Sequence, residues 1–377
     1  MKILIDPYIF NIQKFGGISR YYAEMYVSFN KTKGIKAICP LYYSENLHLK
    51  EYAYLISILS KLLAPIIKSR FGNRVRDFFY LNSYKKRNDL LKKNQVDLFV
   101  PTYYNVDFLP YINEQPFVLT VYDMIHELFP QYFKNDKTTV PNKKILIEQA
   151  TKIIAISEST KKDILKIYPH IDSTKIEVVY LSCTIDLEYT QKLDNFPKRY
   201  ILFVGNREIY KNFTFFIESV APLLLADSDL YVVCAGGNRF SDSEIGLLNE
   251  LGIAKKIIQQ NFNDTELASF YTNALCFVFA SEYEGFGIPV LESMTCGCPV
   301  VLANHSSFPE VAGDAGVYFE LNNGEDLQIK VEKLIFDEEY RKLISEKSIE
   351  QAKKFSWKKC ASETLKVYQS VVNKNNA

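Results

Sequence analysis

What this sequence lacks narrows it first. It has no excess of one charge: 45 Lys and Arg against 44 Asp and Glu leave a formal net charge of +1 over 377 residues. Nothing in that balance points to nucleic acid as a partner. It has no apolar run long enough to cross a bilayer, since the greasiest stretch, Tyr52 to Ile67, is broken by Ser57, Ser60, Lys61 and Pro65. The opening MKILIDPYIF has one Lys and a three-residue apolar run before Asp6, which reads as a first β-strand and not as a signal segment. A cytoplasmic location is expected. A cysteine framework is missing too. The seven cysteines are odd in number and scattered, Cys296-Gly297-Cys298 has no second pair, and the four histidines lack ligand spacing. Neither a disulfide nor a metal site is expected, and Cys234 and Cys276, inside apolar runs, read as buried thiols.

What is present is globular composition, 47% hydrophobic and 24% charged, arranged as an α/β alternation. Short β-branched or aromatic runs at Ile3–Asp6, Ala37–Pro40, Leu98–Pro101, Phe117–Val121, Lys152–Ser157 and Ile176–Val179 predict parallel strands separated by amphipathic helices. The pattern lapses in the polar stretch Leu181–Arg199. It then restarts at Tyr200–Gly205, Leu230–Ala235, Lys256–Gln259, Ala274–Ala280, Pro299–Leu302 and Val317–Phe319. Two such series with a polar joint predict two doubly wound domains, 1–185 and 186–377.

The densest chemistry lies in Ala280–Glu292, ASEYEGFGIPVLE. An apolar strand runs into a glycine-containing loop, and a helix opens near Pro289, where proline suits the first turn. Gly297 closes that helix after little more than two turns. Exposed N–H groups and the helix dipole at the carboxyl end of a parallel strand favour an anion, most simply a diphosphate. Glu284 and Glu292 flank this cradle. Beside a diphosphate a carboxylate is useful if it binds neutral hydroxyls, and vicinal sugar or ribose hydroxyls suit its two oxygens. A second candidate lies in FVGNREIYKN, Phe203 to Asn212, where a strand ends in Gly205 and Arg207 and Lys211 follow. Lys211 is placed to neutralise a diphosphate without a metal.

The string SEYEGFGIPVLESMTCGCPVV resembles the paired-glutamate motif of the retaining GT-B glycosyltransferases, family 4 in the usual sequence classification. FPEVAGDAG, DTELASFYTNALCFVFAS and FSWKKCASETLKVY are similar to segments of the same family, so the likeness covers nearly the whole second half. The resemblance implies two Rossmann-like domains facing across a cleft: an acceptor-binding domain, 1–185, and a donor-binding domain, 186–377. The last helix is a candidate to cross back to the first. In that scheme Glu284 contacts donor-sugar hydroxyls, and Gly285, Phe286, Gly287 and Ile288 face the phosphates. Glu292 holds the ribose, and backbone near Phe262 reads the base. Lys211 and, more weakly, Arg207 meet the diphosphate; the family's usual Arg position, counted back from Lys211, is Asn206.

In the first half Gly16 and Gly17 match a family Gly-Gly close to donor and acceptor, with an ordinary tight loop as the rival reading. TVYDMIHELFP resembles the segment that often carries His-Asp after a strand, but Tyr122 occupies the histidine position. Asp123 is kept. His126 either replaces the missing histidine or plays a plain structural part. Asn263 and Glu266 have capping-box spacing.

Residues 61–94 hold ten basic residues, Arg87 among them, against Asp77 and Asp89, interleaved with apolar ones. Such a mixture suits a peripheral site on an anionic membrane, on the inner face of the plasma membrane, as well as a solvated helix face. The expected activity is metal-independent transfer of a hexose from a UDP- or GDP-sugar to a glycan or lipid-linked acceptor in bacterial surface polysaccharide assembly, with no cofactor. The rival is a catalytically silent nucleotide-sugar-binding subunit of a glycan-assembly complex.

Overall fold

A computed structural model describes residues 1–52, 72–185, 187–188, 190, 196–262 and 264–375. The chain divides into two compact units. The first comprises Met1–Ile156, Thr160–Leu181 and Trp357–Ala377; the second comprises Ser182–Ser356 with Ser157–Ser159.

In the first unit the strands are β1 (Lys2–Ile5), β2 (Lys36–Ile38), β3 (Leu98–Val100), β4 (Val118–Val121), β5 (Lys152–Ala155) and β6 (Ile176–Val178). They pair in the orders β2-β1-β3 and β4-β5-β6, every pair parallel, and one parallel bridge, Phe99 to Phe117, joins the two sets. Ile3, Leu4, Leu98, Phe99, Val118 and Leu119 are wholly buried, as strands covered on both faces must be. The closing helix, Trp357–Asn375, belongs to this unit and packs on the helix Gly17–Asn30. Tyr21 lies against Trp357 with ring centroids 6.4 Å apart, and Phe29 meets Tyr368 at 5.7 Å.

The second unit carries β7 (Arg199–Val204), β8 (Leu230–Ala235), β9 (Ile257–Gln260), β10 (Cys276–Phe279), β11 (Val300–Ala303) and β12 (Gly316–Phe319) in one parallel sheet, ordered β12-β11-β10-β7-β8-β9. Ile201, Leu202, Val232, Val233, Phe277, Val278, Val300 and Val301 have no exposed surface, so the centre of the sheet is the core. The chain runs from β7 outward through β8 to β9, then returns to the other side of β7 as β10. The switch point therefore falls between β7 and β10. In open parallel sheets the loops leaving the carboxyl ends of such strands part in opposite directions and form a crevice for ligands.

Among the described residues, the twelve strands coincide with the twelve apolar runs of the sequence, with ends shifted by a residue or two. Parallel strands advertise themselves this way because both faces must be apolar.

Candidate functional site

Two loops leave the switch point of the second unit. One follows β7 from Gly205 to Asn212, and the other follows β10 from Ala280 to Gly287. They touch directly: the Glu282 N–H donates to the Tyr210 carbonyl at 2.7 Å. This bond brings the Lys211 segment and the Glu284 segment to one edge of the sheet, although more than seventy residues separate them in sequence.

Local geometry explains the glycines. Gly287, at φ +87°, precedes the helix Ile288–Thr295, whose second residue is Pro289. A side chain at 287 would be strained by that φ and would meet Val290 Cγ2 at 3.2 Å. The helix ends on Gly297 at φ +68°. Gly285 and Phe286 are buried, and Phe286 packs edge-on against Phe355 at 6.0 Å. Glu284 and Glu292 are half-buried. Glu284 Oε1 accepts from Ser281 Oγ at 3.1 Å, and Glu292 Oε2 accepts from the Tyr271 hydroxyl at 3.4 Å. Burial holds that hydroxyl well above its ordinary range, and the Glu292 carboxylate adds to the effect, so Tyr271 stays a donor.

Across the switch point, Gly205 turns at φ +98°, and the Lys211 ammonium lies 3.3 Å from where a Gly205 Cβ would stand. Among the described residues, Lys211 makes no ion pair. Arg207 is differently employed. Its Nε donates to Glu244 at 2.6 Å, and Nη2 donates to the carbonyls of Asn238 and Arg239 at 3.2 and 3.0 Å. Its guanidinium lies 4.5 Å from the centre of the Phe240 ring. Only Nη1 is without a partner, and it is buried. Arg207 thus ties the β7 loop to the loop after β8, which limits how much of it can meet a ligand.

Sequence reading missed Gly236 and Gly237, which follow β8 at φ +84° and +78°. A Cβ on Gly236 would meet the Phe262 ring at 3.1 Å, and one on Gly237 would meet the Gly205 carbonyl at 2.7 Å. The ends of β7 and β8 and the half-buried Phe262 can come this close only because glycine leaves the space. The signal was available as a Gly-Gly pair directly after an apolar strand. The sequence also holds an Asp-x-Asp spacing, Asp227-Ser228-Asp229. It lies at the amino end of β8, where Asp227 accepts the Asp229 N–H at 2.9 Å and pairs with Arg199 at 3.1 Å. That is the opposite edge of the sheet from these loops.

The first unit places its candidates at the carboxyl ends of its own strands. Gly16 precedes the helix Gly17–Asn30, and a Cβ there would meet Gln13 Oε1 at 2.8 Å. That same oxygen accepts the Ser19 N–H at 3.2 Å, so Gln13 serves as the helix cap glycine cannot provide. Asp123 follows β4 and accepts the Ile125 N–H at 3.1 Å. The wholly buried Lys143 binds the Asp123 carbonyl at 3.1 Å and Glu127 at 2.9 Å, fixing this loop from below. His126 stacks on Phe133, centroids 4.1 Å apart, with Nε2 3.4 Å from Asp136. Burial holds its pKa below the ordinary value, although Asp123 opposes that shift. Tyr122 is buried, its N–H on the Tyr104 hydroxyl at 3.1 Å and its own hydroxyl pushed well above its ordinary range by burial. It offers none of the proton chemistry of a histidine.

In the basic stretch, Lys61, Lys68 and Arg70 lie outside the described residues, as does Asn263 of the expected capping box. Arg87 corrects the reading of a surface patch. Its side chain is 0% exposed and bridges Asp6 at 3.1 Å and Asp107 at 3.0 Å. On the same helix, Gly72–Lys92, Phe78 and Leu81 are 62% and 58% exposed, and Arg74, Lys85 and Lys86 are exposed beside them.

Residues 188–351 match the family model described as Glycosyl transferases group 1. This segment is similar to glycosyl transferases group 1 domains. It spans both switch-point loops and both glutamates. The chain is 28% identical over 276 residues to O-antigen chain mannosyltransferase B of Escherichia coli, covering 70% of this chain and 72% of that protein. It is also 28% identical over 243 residues to a Campylobacter jejuni enzyme, N-acetylgalactosamine-N,N'-diacetylbacillosaminyl-diphospho-undecaprenol 4-alpha-N-acetylgalactosaminyltransferase, covering 62% of this chain and 65% of that one. Among solved structures, sucrose-phosphate synthase of Thermosynechococcus elongatus superposes with a TM-score of 0.74 at 14% identity, over 99% of this chain and 100% of that one. HepE of Anabaena, solved with UDP and glucose, gives 0.70 at 14% identity, over 98% and 100%. These likenesses establish the GT-B fold, and glycosyl transfer is the class of activity they support.

Proposed function

We propose that this chain is a retaining, metal-independent hexosyltransferase that uses a UDP- or GDP-sugar and extends a lipid-linked glycan in surface polysaccharide assembly. The observation that carries the reading is the 2.7 Å bond from Glu282 to Tyr210, which sets Lys211 beside the loop bearing Glu284 and the amino end of the helix Ile288–Thr295. A diphosphate at that edge would meet the ammonium and the helix N–H groups. Glu284 would then accept from sugar hydroxyls and Glu292 from ribose. In the reaction the bond between the anomeric carbon and the phosphate oxygen breaks as the acceptor hydroxyl attacks from the same face. The leaving phosphate oxygen takes the acceptor proton. Asp123 and His126 are the acceptor-side candidates. The polymer context draws on the relatives named for O-antigen and undecaprenol-linked substrates.

The test is release of GDP or UDP from GDP-mannose, UDP-glucose and UDP-N-acetylgalactosamine in the presence of membrane lipid extract, with and without EDTA. Release that survives EDTA and falls at least about a hundredfold in Glu284→Ala supports the enzyme. Proton NMR of the product reads the anomeric configuration. Binding without turnover on every acceptor supports the silent subunit instead.

The exposed Phe78 and Leu81, flanked by cations, fit attachment to an anionic bilayer. Co-sedimentation with phosphatidylglycerol vesicles should fall with salt and in Phe78→Ser/Leu81→Ser. Equal sedimentation of that variant would rule the helix out as the contact.

A further inference from the structure

Glu284 is held in an unusual way. The loop after β11 reads Asn304-His305-Ser306-Ser307 before the helix Phe308–Ala312. Ser306 has φ +57°, and the other non-glycine residues with positive φ among the described residues are all asparagines. Asparagine tolerates that conformation through its own side chain, whereas serine has less to offset the steric cost. Here the hydroxyl supplies the compensation. Ser306 Oγ donates to the Glu284 carbonyl at 2.6 Å and accepts the Glu284 N–H at 3.3 Å. Ser307 Oγ, on a wholly buried residue, donates to the same carbonyl at 3.0 Å. Ser281, equally buried, donates to the Glu284 carboxylate at 3.1 Å. Two loops thus fix both backbone polar groups of one glutamate and one of its carboxylate oxygens.

We propose that Ser306 and Ser307, together with Ser281, are positioning residues that aim the Glu284 carboxylate at the hydroxyls of the donor sugar. The proposal rests on the reading of Glu284 as a sugar-binding group. It predicts a divided effect. Contacts to the nucleoside diphosphate are untouched when the serines lose their hydroxyls, while the added affinity contributed by the sugar disappears.

Ser306→Gly makes the test sharp, because glycine accepts φ +57° freely, so the hydroxymethyl group is lost without adding backbone strain. A part in loop folding alone predicts a lower melting temperature with an unchanged preference for the nucleotide sugar over the nucleotide. Calorimetric titration of wild type, Ser306→Gly/Ser307→Ala, Ser281→Ala and Glu284→Ala would use GDP-mannose, UDP-glucose, UDP-N-acetylgalactosamine, GDP and UDP. In the double variant, affinity for GDP or UDP should stay within about twofold while affinity for the matching nucleotide sugar falls about tenfold, the scale of one or two lost hydrogen bonds. Ser281→Ala should show a smaller loss of the same kind. A folded double variant that keeps the wild-type preference for the sugar overturns the proposal, and so does an equal loss for nucleotide and nucleotide sugar. If Glu284→Ala leaves nucleotide-sugar binding intact, or wild type binds none of the three donors, the reading of Glu284 fails first and the proposal falls with it.

Discussion

Arg87 shows how far a residue can stand from what its sequence neighbours suggest. Within a run of cations it reads as one more surface charge, yet it divides one buried guanidinium between Asp6 and Asp107. Only one Asp6 oxygen is served; Oδ2 is buried without a partner. Burial of an incompletely bonded carboxylate raises its pKa, here from 3.8 to about 6, against the pull of Arg87. A folded-state pKa above the unfolded one means that the fold holds the proton longer. The contribution of Asp6 to stability is therefore full below about pH 4 and is lost as pH rises through about 6. Asp6→Asn cannot titrate, so urea unfolding of both proteins at about pH 4 and about pH 7 isolates the effect. Wild type should lose stability relative to the variant on going to the higher pH, by on the order of 3 kcal/mol. A constant difference would show that Asp6 ionises normally. Nothing in the sequence announced this pair, because partners 81 residues apart leave no periodicity to read.

At the scale of elements, much of the second unit was legible. Strands such as Val300–Ala303 are continuous apolar runs because both faces are covered, and the helix after Gly287 carries its start and stop in Pro289 and Gly297. The cradle loop and its two glutamates could be found for the same reason. What could not be read was the company these loops keep: Glu282 on Tyr210, Ser306 on Glu284, and Gly237 against Gly205 all join segments distant in sequence. The glycines allow a ranking. Gly287→Ala imposes a left-handed φ on a side chain and presses a Val290 methyl group that can give way. It should cost about 1–2 kcal/mol. Gly237→Ala has the same backbone penalty and also drives a methyl to within 2.7 Å of a main-chain oxygen that cannot rotate aside. Overpacking should add about 1–3 kcal/mol. Thermal and urea denaturation should therefore rank Gly237→Ala below Gly287→Ala, and the reverse order would mean that the loop after β8 is free to move.

The chain is threaded so that the helix Trp357–Asn375 returns from beyond the second unit's sequence to complete the first unit. The helix Trp357–Asn375 covers Tyr21 and Phe29, both nearly fully buried, and its own Tyr368 and Val371 are buried with them. Each such side chain left in water costs about 1.5–3 kcal/mol, so losing the helix removes an amount comparable to the whole stability of a domain. Residues 1–181 alone should therefore fail to melt cooperatively, and a peptide of residues 357–375 added in trans should restore the transition. Residues 182–356 lack nothing of the second sheet and should fold without that peptide. Trp357 is the one tryptophan of the sequence and lies against Tyr21, so fluorescence of the labelled peptide reports docking directly. Circular dichroism of each fragment supplies the second reading. If fragment 1–181 unfolds cooperatively at the urea concentration where Trp357 fluorescence changes in the full chain, the helix is an ornament on a finished fold. If the peptide quenches or shifts on binding and brings the transition back, the first unit is complete only once residues 357–375 have docked on it.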